Sequence, residues 1–204
     1  GSGKSTTLYS LLSERNDPGL NISTVEDPIE YTLPGITQCQ VNREKGFDFA
    51  TALRAFMRQD PDVLLVGETR DLETAKTAIE AALTGHLVLS TLHANDAPST
   101  IARLDEMGVE PFMVSAALIG IVSQRLLRRV CSSCRKPYRP DEQELGRFGL
   151  MTSRESEVTF YKAHHHEGHG QPCPKCKGSG YKGRIGVYEV LRMNEELATA
   201  VSSG

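Results

Sequence analysis

Four stretches of this sequence carry side chains whose types and spacing suit phosphate chemistry. Gly1-Ser2-Gly3-Lys4-Ser5-Thr6 is the closing half of the pattern G-x-x-x-x-G-K-[ST]. Such a loop wraps backbone N–H groups round nucleotide phosphates, its lysine reaches the β- and γ-phosphates, and its hydroxyl ligates Mg²⁺. Glu68 follows the apolar run Val63-Leu64-Leu65-Val66, at the carboxyl end of an expected strand, where ligands bind in open α/β sheets. An acid there can hold Mg²⁺ or polarise the attacking water. Glu26-Asp27-Pro28-Ile29-Glu30 follows a second expected strand and can supply a general base or a water-mediated cation ligand. His86 and His93 bracket a third strand, and such a pair could sense a γ-phosphate and transmit its loss. Each has a plainer reading: a glycine-rich turn, a solvated turn residue, a cap before an Asp-Pro turn, a structural histidine.

The sequence starts at the closing half of the loop, without its first glycine or the strand before it. The chain is therefore expected to be the C-terminal part of a larger nucleotide-driven protein. Five cysteines form two C-x-x-C pairs plus Cys39. Cys131/Cys134 and Cys173/Cys176 can each place two thiolates on one turn, and two such knuckles close a tetrahedral Zn²⁺ site with no open position, hence a structural one. The alternatives are a redox pair or four unrelated buried cysteines. Cys39 reads as a small buried residue. His164, His165, His166 and His169 lie in a Gly-rich stretch with Glu167 and read as a solvated insertion.

These groups need a scaffold. The chain has 204 residues, 39% of them apolar and 24% charged, with net charge −3. That is room for one sizeable core and a small appendage, and no broad basic surface calls for nucleic acid. No apolar run approaches the roughly 20 residues of a membrane span. Helical periodicity is expected over 5–15, 49–58 (Ala52, Leu53, Ala55 and Phe56 inward), 71–83 (Asp71 capping, with Ala75, Ala78, Ile79 and Ala82 inward), 97–107, 111–122 and 194–201. Strands are expected over 22–25, 63–66, 87–92 and 184–190. Strands alternating with helices imply an α/β fold with a doubly wound, mainly parallel sheet. The texture changes at Cys131, so the expected division is 1–130 as the core, 131–182 as a zinc-binding tetracysteine subdomain, and 183–204 as a strand and helix returning to the core.

Together, Val25-Glu26-Asp27-Pro28-Ile29-Glu30-Tyr31, Arg58-Gln59-Asp60-Pro61-Asp62 with Gly67-Glu68-Thr69-Arg70-Asp71, and Thr84-Gly85-His86 to Ser90-Thr91-Leu92-His93-Ala94 resemble the secretion ATPase superfamily, the hexameric motors of type II secretion and type IV pili. The resemblance covers nearly the whole chain. It implies a RecA-like P-loop domain in which Gly1, Ser2, Gly3, Lys4, Ser5 and Thr6 bind ATP, Ser5 ligates Mg²⁺, Glu26 and Glu68 share catalytic and metal-positioning work, and His86 and His93 monitor nucleotide state. Thr69 departs from the aliphatic residue usual there; a β-branched side chain should keep the backbone extended. The resemblance also implies a cytoplasmic homo-hexamer acting on an inner-membrane platform protein, with membrane contact by way of partners. Its transition-state arginines come largely from a preceding domain, so the chain alone should be almost inactive. Paired cysteines point to pilus-extension or type II secretion ATPases rather than retraction ATPases, and Val187-Tyr188-Glu189-Val190 is closer to pilus extension. A DNA-translocating motor fits the acidic balance and the cysteines poorly. A nucleotide-binding scaffold without hydrolysis, and a zinc-dependent docking module with a vestigial core, are the other readings.

Overall fold

The computed structural model of the chain describes residues 1–147, 149, 159–165 and 171–203. In chain order the elements are α1 (Lys4–Arg15), β1 (Ile22–Glu26), β2 (Thr37–Gln40), α2 (Phe49–Phe56), β3 (Val63–Val66), α3 (Leu72–Leu83), β4 (Leu87–Ser90), α4 (Ala97–Glu106), α5 (Pro111–Ala117), β5 (Gly120–Val130), β6 (Lys136–Tyr138), α6 (Glu142–Arg147), β7 (Phe160–Lys162), β8 (Tyr181–Arg192) and α7 (Glu195–Ser203). They fall into two compact units, Gly1–Arg125 with Tyr188–Gly204, and Leu126–Val187.

The first unit is built on a four-stranded parallel sheet of order β2-β1-β3-β4. Its register aligns Val25 with Val66, and Val66 with Ser90, so the carboxyl ends of β1, β3 and β4 lie side by side. Successive side chains of a strand point to opposite faces, and both faces are covered. Ile22, Val63 and Leu65 pack with Tyr9 and Leu12 of α1. Val25, Leu64 and Val66 pack with α2 and α3 through Leu53, Phe56, Ala78 and Ala81. A strand buried on both sides reads as an unbroken apolar run rather than an alternation, which is why 63–66 looks as it does. The fold is thus the doubly wound α/β arrangement expected of a RecA-like P-loop domain.

Several local expectations change. Ala55 is exposed, and α2 instead turns Phe49 inward beside Ala52, Leu53 and Phe56. On α3 the buried face is Thr74, Ala75, Thr77, Ala78 and Ala81, so it is rotated from the one expected. The strand expected over 87–92 stops at Ser90. The helix expected to reach 122 ends at Ala117. From Gly120 the chain is extended, and β5 and β8 form a two-stranded sheet; pairing with a partner distant in sequence overrides the local helical pattern. Three Asp caps start helices: the Asp48, Asp71 and Asp96 carboxylates accept the N–H of Thr51, Thr74 and Ser99.

In the second unit, β6 and β7 pair antiparallel, with Pro137 opposite Tyr161. Among the described residues its buried cluster is Cys131, Cys173 and Cys176, with Cys134 packed against them. His166 and His169 lie outside the described residues.

Candidate functional site

The site lies where α1 and the carboxyl ends of β1 and β3 meet. α1 opens at Lys4, and Gly3 before it adopts φ 85°, ψ 21°, a left-handed conformation that glycine adopts without strain. That turn leaves the N–H groups of the first helical turn free of intrahelical partners, pointing out with the positive end of the helix dipole. Gln124 clamps the loop from both sides: its Nε2 donates to the Ser2 carbonyl at 2.8 Å, and its Oε1 accepts from Thr7 Oγ1 at 2.7 Å. It lies 117 positions from Thr7 in sequence, and no local signal singles it out.

A cleft of about 220 Å³ is lined by Lys4, Ser5, Tyr9, Glu26, Asp27, Gly67, Glu68, Thr91 and His93, among others. Glu26 ends β1 and is 4% exposed. Its Oε2 accepts from the Tyr9 hydroxyl, and its Oε1 accepts from Thr24 Oγ1 at 2.7 Å and Gln38 Nε2 at 3.2 Å. Glu68 lies just past β3. Arg70 Nη2 sits 2.5 Å from its Oε2, and His93 Nε2 2.8 Å from its Oε1. The hydrogen bond from Arg70, helped by the charges of Arg70, His93 and Lys4, holds the Glu68 carboxyl below its ordinary pKa. Oε1 is nevertheless buried with no well-oriented donor. Its close polar neighbour is the His93 ring nitrogen, and Glu68 and His93 both line the cleft.

Gly67 lets the two acid-bearing strand ends come together. Its N–H donates to the Val25 carbonyl at 2.8 Å. A Cβ there would lie 3.2 Å from that oxygen and 3.3 Å from the Glu26 Cα. Thr91 Oγ1 donates to the Gly67 carbonyl at 2.7 Å, while the Thr69 N–H donates to the Thr91 carbonyl at 2.9 Å and its hydroxyl meets Ser90 Oγ at 2.8 Å. Thr69 thus does what an aliphatic residue could not, tying the end of β3 to β4.

The structure brings Lys4, Ser5, Glu26, Glu68 and His93 to one cleft and leaves His86 away from it. His86 precedes β4 at the opposite end of the sheet, where its Nδ1 lies 2.7 Å from the Ala81 carbonyl and 3.2 Å from Thr84 Oγ1. Strands rise about 3.3 Å per residue, so the two histidines that flank β4 sit at its two ends. Within this chain, His86 is a loop-end residue with no line to the phosphate cleft. Tyr9 and Gln38 are site residues that the sequence reading passed over. Tyr9 was findable, since it follows Ser5 by four positions on one helix face; Gln38 was not, since β2 was not expected.

In the other unit, the sulfurs of Cys131, Cys134, Cys173 and Cys176 lie within 4.8 Å of one another. Cys131 and Cys173 Sγ are 4.0 Å apart, and Cys134 and Cys176 Sγ 3.5 Å. A metal holding four thiolates tetrahedrally at 2.3 Å sets sulfurs about 3.8 Å apart, so the cluster has the dimensions to hold a metal ion. The N–H groups of Cys176 and Lys175 lower the Cys173 thiol to about 7, whereas burial pushes Cys134 up to about 12.

Among the described residues no helix is long and apolar enough to cross a membrane. Across residues 1–204 the chain matches the family described as Type II/IV secretion system protein. It is 53% identical to the type IV pilus assembly ATPase PilB of Thermus thermophilus, covering all of this chain and 22% of that protein. It is 50% identical to type II secretion system protein E of Dickeya dadantii, covering all of this chain and 39% of that one. The chain therefore spans well under half the length of these curated relatives. The solved structure of the pilus retraction motor PilT with bound ADP superposes on all of this chain and 48% of its own, at TM-score 0.69 and 33% identity. The chain belongs to the type II/IV secretion system protein family.

Proposed function

We propose that this chain is the ATP-hydrolysing part of a homo-hexameric motor that drives type IV pilus assembly. The observation that carries the reading is the convergence of Lys4, Ser5, Glu26, Glu68 and His93 on one cleft. The N–H groups at the start of α1 and the Lys4 ammonium would hold the phosphates, and the Ser5 hydroxyl would ligate Mg²⁺. Mg²⁺ supplies the charge that screens the leaving phosphates. Glu26 and Glu68, both lining the cleft, are read as accepting a proton or a hydrogen bond from the attacking water, Glu68 with His93 held at its Oε1. His93, 2.8 Å from that atom, couples the acid to the segment after β4.

The tetracysteine cluster is read as a Zn²⁺ site held by Cys131, Cys134, Cys173 and Cys176. Zn²⁺ there supplies a crosslink and no chemistry, because four thiolates fill its coordination shell. The ring works in the cytoplasm against an inner-membrane platform protein. The arginines that neutralise transition-state charge come from outside this chain, so the chain by itself turns over ATP far more slowly than the full-length protein.

The test is Glu68→Gln in the full-length protein. ATP turnover should fall at least 100-fold, the size of effect carried by groups acting in the transition state, while nucleotide binding persists. A nucleotide-binding scaffold would be indifferent to the change. Type II secretion is the second reading, favoured by the 50% identity to the Dickeya protein. Deleting the gene separates the two: loss of pili with export intact supports the first, and the reverse supports the second.

A further inference from the structure

Tyr9 is buried in the core, 2% exposed, with its ring stacked edge-on against Tyr31 at 4.6 Å. A phenylalanine would serve that packing equally well. Its hydroxyl, however, donates to Glu26 Oε2 and accepts the Glu30 N–H at 3.2 Å. Burial and the neighbouring Glu26 push the Tyr9 pKa up to about 12, so it stays a donor at any working pH. Ser5 and Tyr9 are one helical turn apart on α1, about 6 Å along its axis, and both line the cleft. α1 is thus a rigid strut that carries the phosphate-loop hydroxyl at one point and a donor to Glu26 at the next.

Gln38 completes the arrangement from the opposite side. Its Nε2 donates to Glu26 Oε1 at 3.2 Å and to the Tyr31 carbonyl at 3.1 Å, and its Oε1 accepts the Leu33 N–H at 2.6 Å. Thr24, two residues back on β1, donates from the same face at 2.7 Å. The Glu26 carboxylate is therefore fixed by donors from α1, β1 and β2, and two of them, Tyr9 and Gln38, also bind the backbone of the segment after Glu26.

We propose that Tyr9 is a positioning residue for Glu26, locking the carboxylate to the helix that holds the phosphates, and that Gln38 extends this lock to the segment 30–33. The proposal rests on the reading of Glu26 as a group that acts on the attacking water. It explains why a tyrosine rather than a phenylalanine stands at this core position.

The experiment is steady-state ATP hydrolysis by the full-length protein carrying Tyr9→Phe, Glu26→Gln, or both, with binding of a fluorescent ATP analogue measured in parallel. Tyr9→Phe should lower kcat about 10- to 100-fold, since a misplacement near 1 Å can cost that much. KM and analogue affinity should stay within about twofold. In the Glu26→Gln background the same substitution should cost nothing further, because residues acting as a unit are non-additive. Gln38→Leu, which leaves α1 untouched, should show the same split with a smaller loss and guards against misfolding of the Tyr9 variant. Unchanged kcat in Tyr9→Phe, or losses that multiply independently in the double variant, would overturn the proposal. An unaffected Glu26→Gln enzyme would instead overturn the role given to Glu26 itself.

Discussion

In the unit 1–125 with 188–204, apolar side chains from the two faces of a parallel sheet form two buried clusters, and α3, α4 and α5 gather round a third. In 126–187, the buried cluster among the described residues is made of cysteines alone. Charge differs as sharply. Residues 126–187 contain twelve Lys or Arg and six Asp or Glu, a formal +6, which leaves −9 for the rest of a chain whose total is −3. All five ion pairs among the described residues lie in the acidic unit. In the basic unit three of the cations lie instead on aromatic faces: Arg128 over Tyr181 at 4.1 Å, Arg135 over Tyr161 at 3.7 Å, Lys162 over Tyr138 at 4.0 Å. Four thiolates round a divalent ion would carry a net −2, opposite in sign to the formal charge of this stretch. One region is stabilised by removing apolar surface from water; the other, whose four cysteine sulfurs have the dimensions to hold a metal ion, would under the proposed reading be stabilised by coordination, since a small loop-rich segment has little else to use.

The largest way to break this comparison is to take the metal away. Metal binding to such a module contributes on the order of 10 kcal/mol. Cys176→Ser, or chelation under reducing conditions, should abolish amide-exchange protection in β6, β7 and the described cysteine turns. Protection in β1, β3 and β4 should persist. Native mass spectrometry of the untreated protein should find one zinc per chain. Protection in 126–187 that survives chelation would mean that the thiol cluster is not what holds the region.

The reciprocal change is Leu64→Ala. Leu64 is fully buried between β3's neighbours and α2, and such a truncation costs about 2–5 kcal/mol. Urea unfolding should show that loss in the transition of the sheet unit, with the metal content unchanged. Release of zinc at the same denaturant concentration as sheet unfolding, in both wild type and variant, would show that the two units are one cooperative block and sink the contrast.

That contrast tracks what was legible in the residues. The run 63–66 announces its own burial because a parallel strand covered on both faces has no polar side to show. Asp71 announces a helix start, and Lys4 with Ser5 announces the end of a phosphate loop, because those functions need particular groups at fixed offsets. The cysteine pairs were legible for the same reason. β2 was not: Thr37–Gln40 is an edge strand of polar, partly exposed residues, and only its pairing with β1 defines it. β5 misled because 118–122 is apolar enough to continue a helix. His86 reads as one of a pair flanking a strand, and strand geometry sets that pair at the strand's two ends, so only His93 lines the cleft of this chain. The net charge of −3 concealed two opposite regions, so composition said nothing of where the basic surface lies.

Gly67→Ala sharpens the comparison inside the sheet unit, because it strains the backbone while leaving every apolar contact in place. The added methyl would meet the Val25 carbonyl and the Glu26 Cα at 3.2 and 3.3 Å. Overpacking of this kind costs about 1–3 kcal/mol. Activity should suffer more than stability, because the change separates the ends that carry Glu26 and Glu68. A thermal melt and an ATPase assay on the same preparation decide it: stability lost with activity retained would mean that the spacing of the two acids is not critical.

The smallest expected effect concerns charge at the cleft. Arg70 keeps Glu68 ionised below the ordinary carboxylate range. For an acid with a depressed folded pKa, the stability it adds is present in full above its unfolded pKa, about 4.3 for glutamate, and is lost as pH falls through the folded one. Wild type should therefore exceed Arg70→Ala by a constant margin near neutral pH, and the margin should shrink only below about pH 4.3. Arg70 is 60% exposed at its side chain, so solvent and salt weaken the pair and the margin should be small. Urea midpoints of both proteins from neutral to acidic pH, at low and high salt, measure it. A margin that widened as pH fell would mean that Glu68 is held protonated rather than ionised, and the acid would then be a proton donor rather than an acceptor for the attacking water.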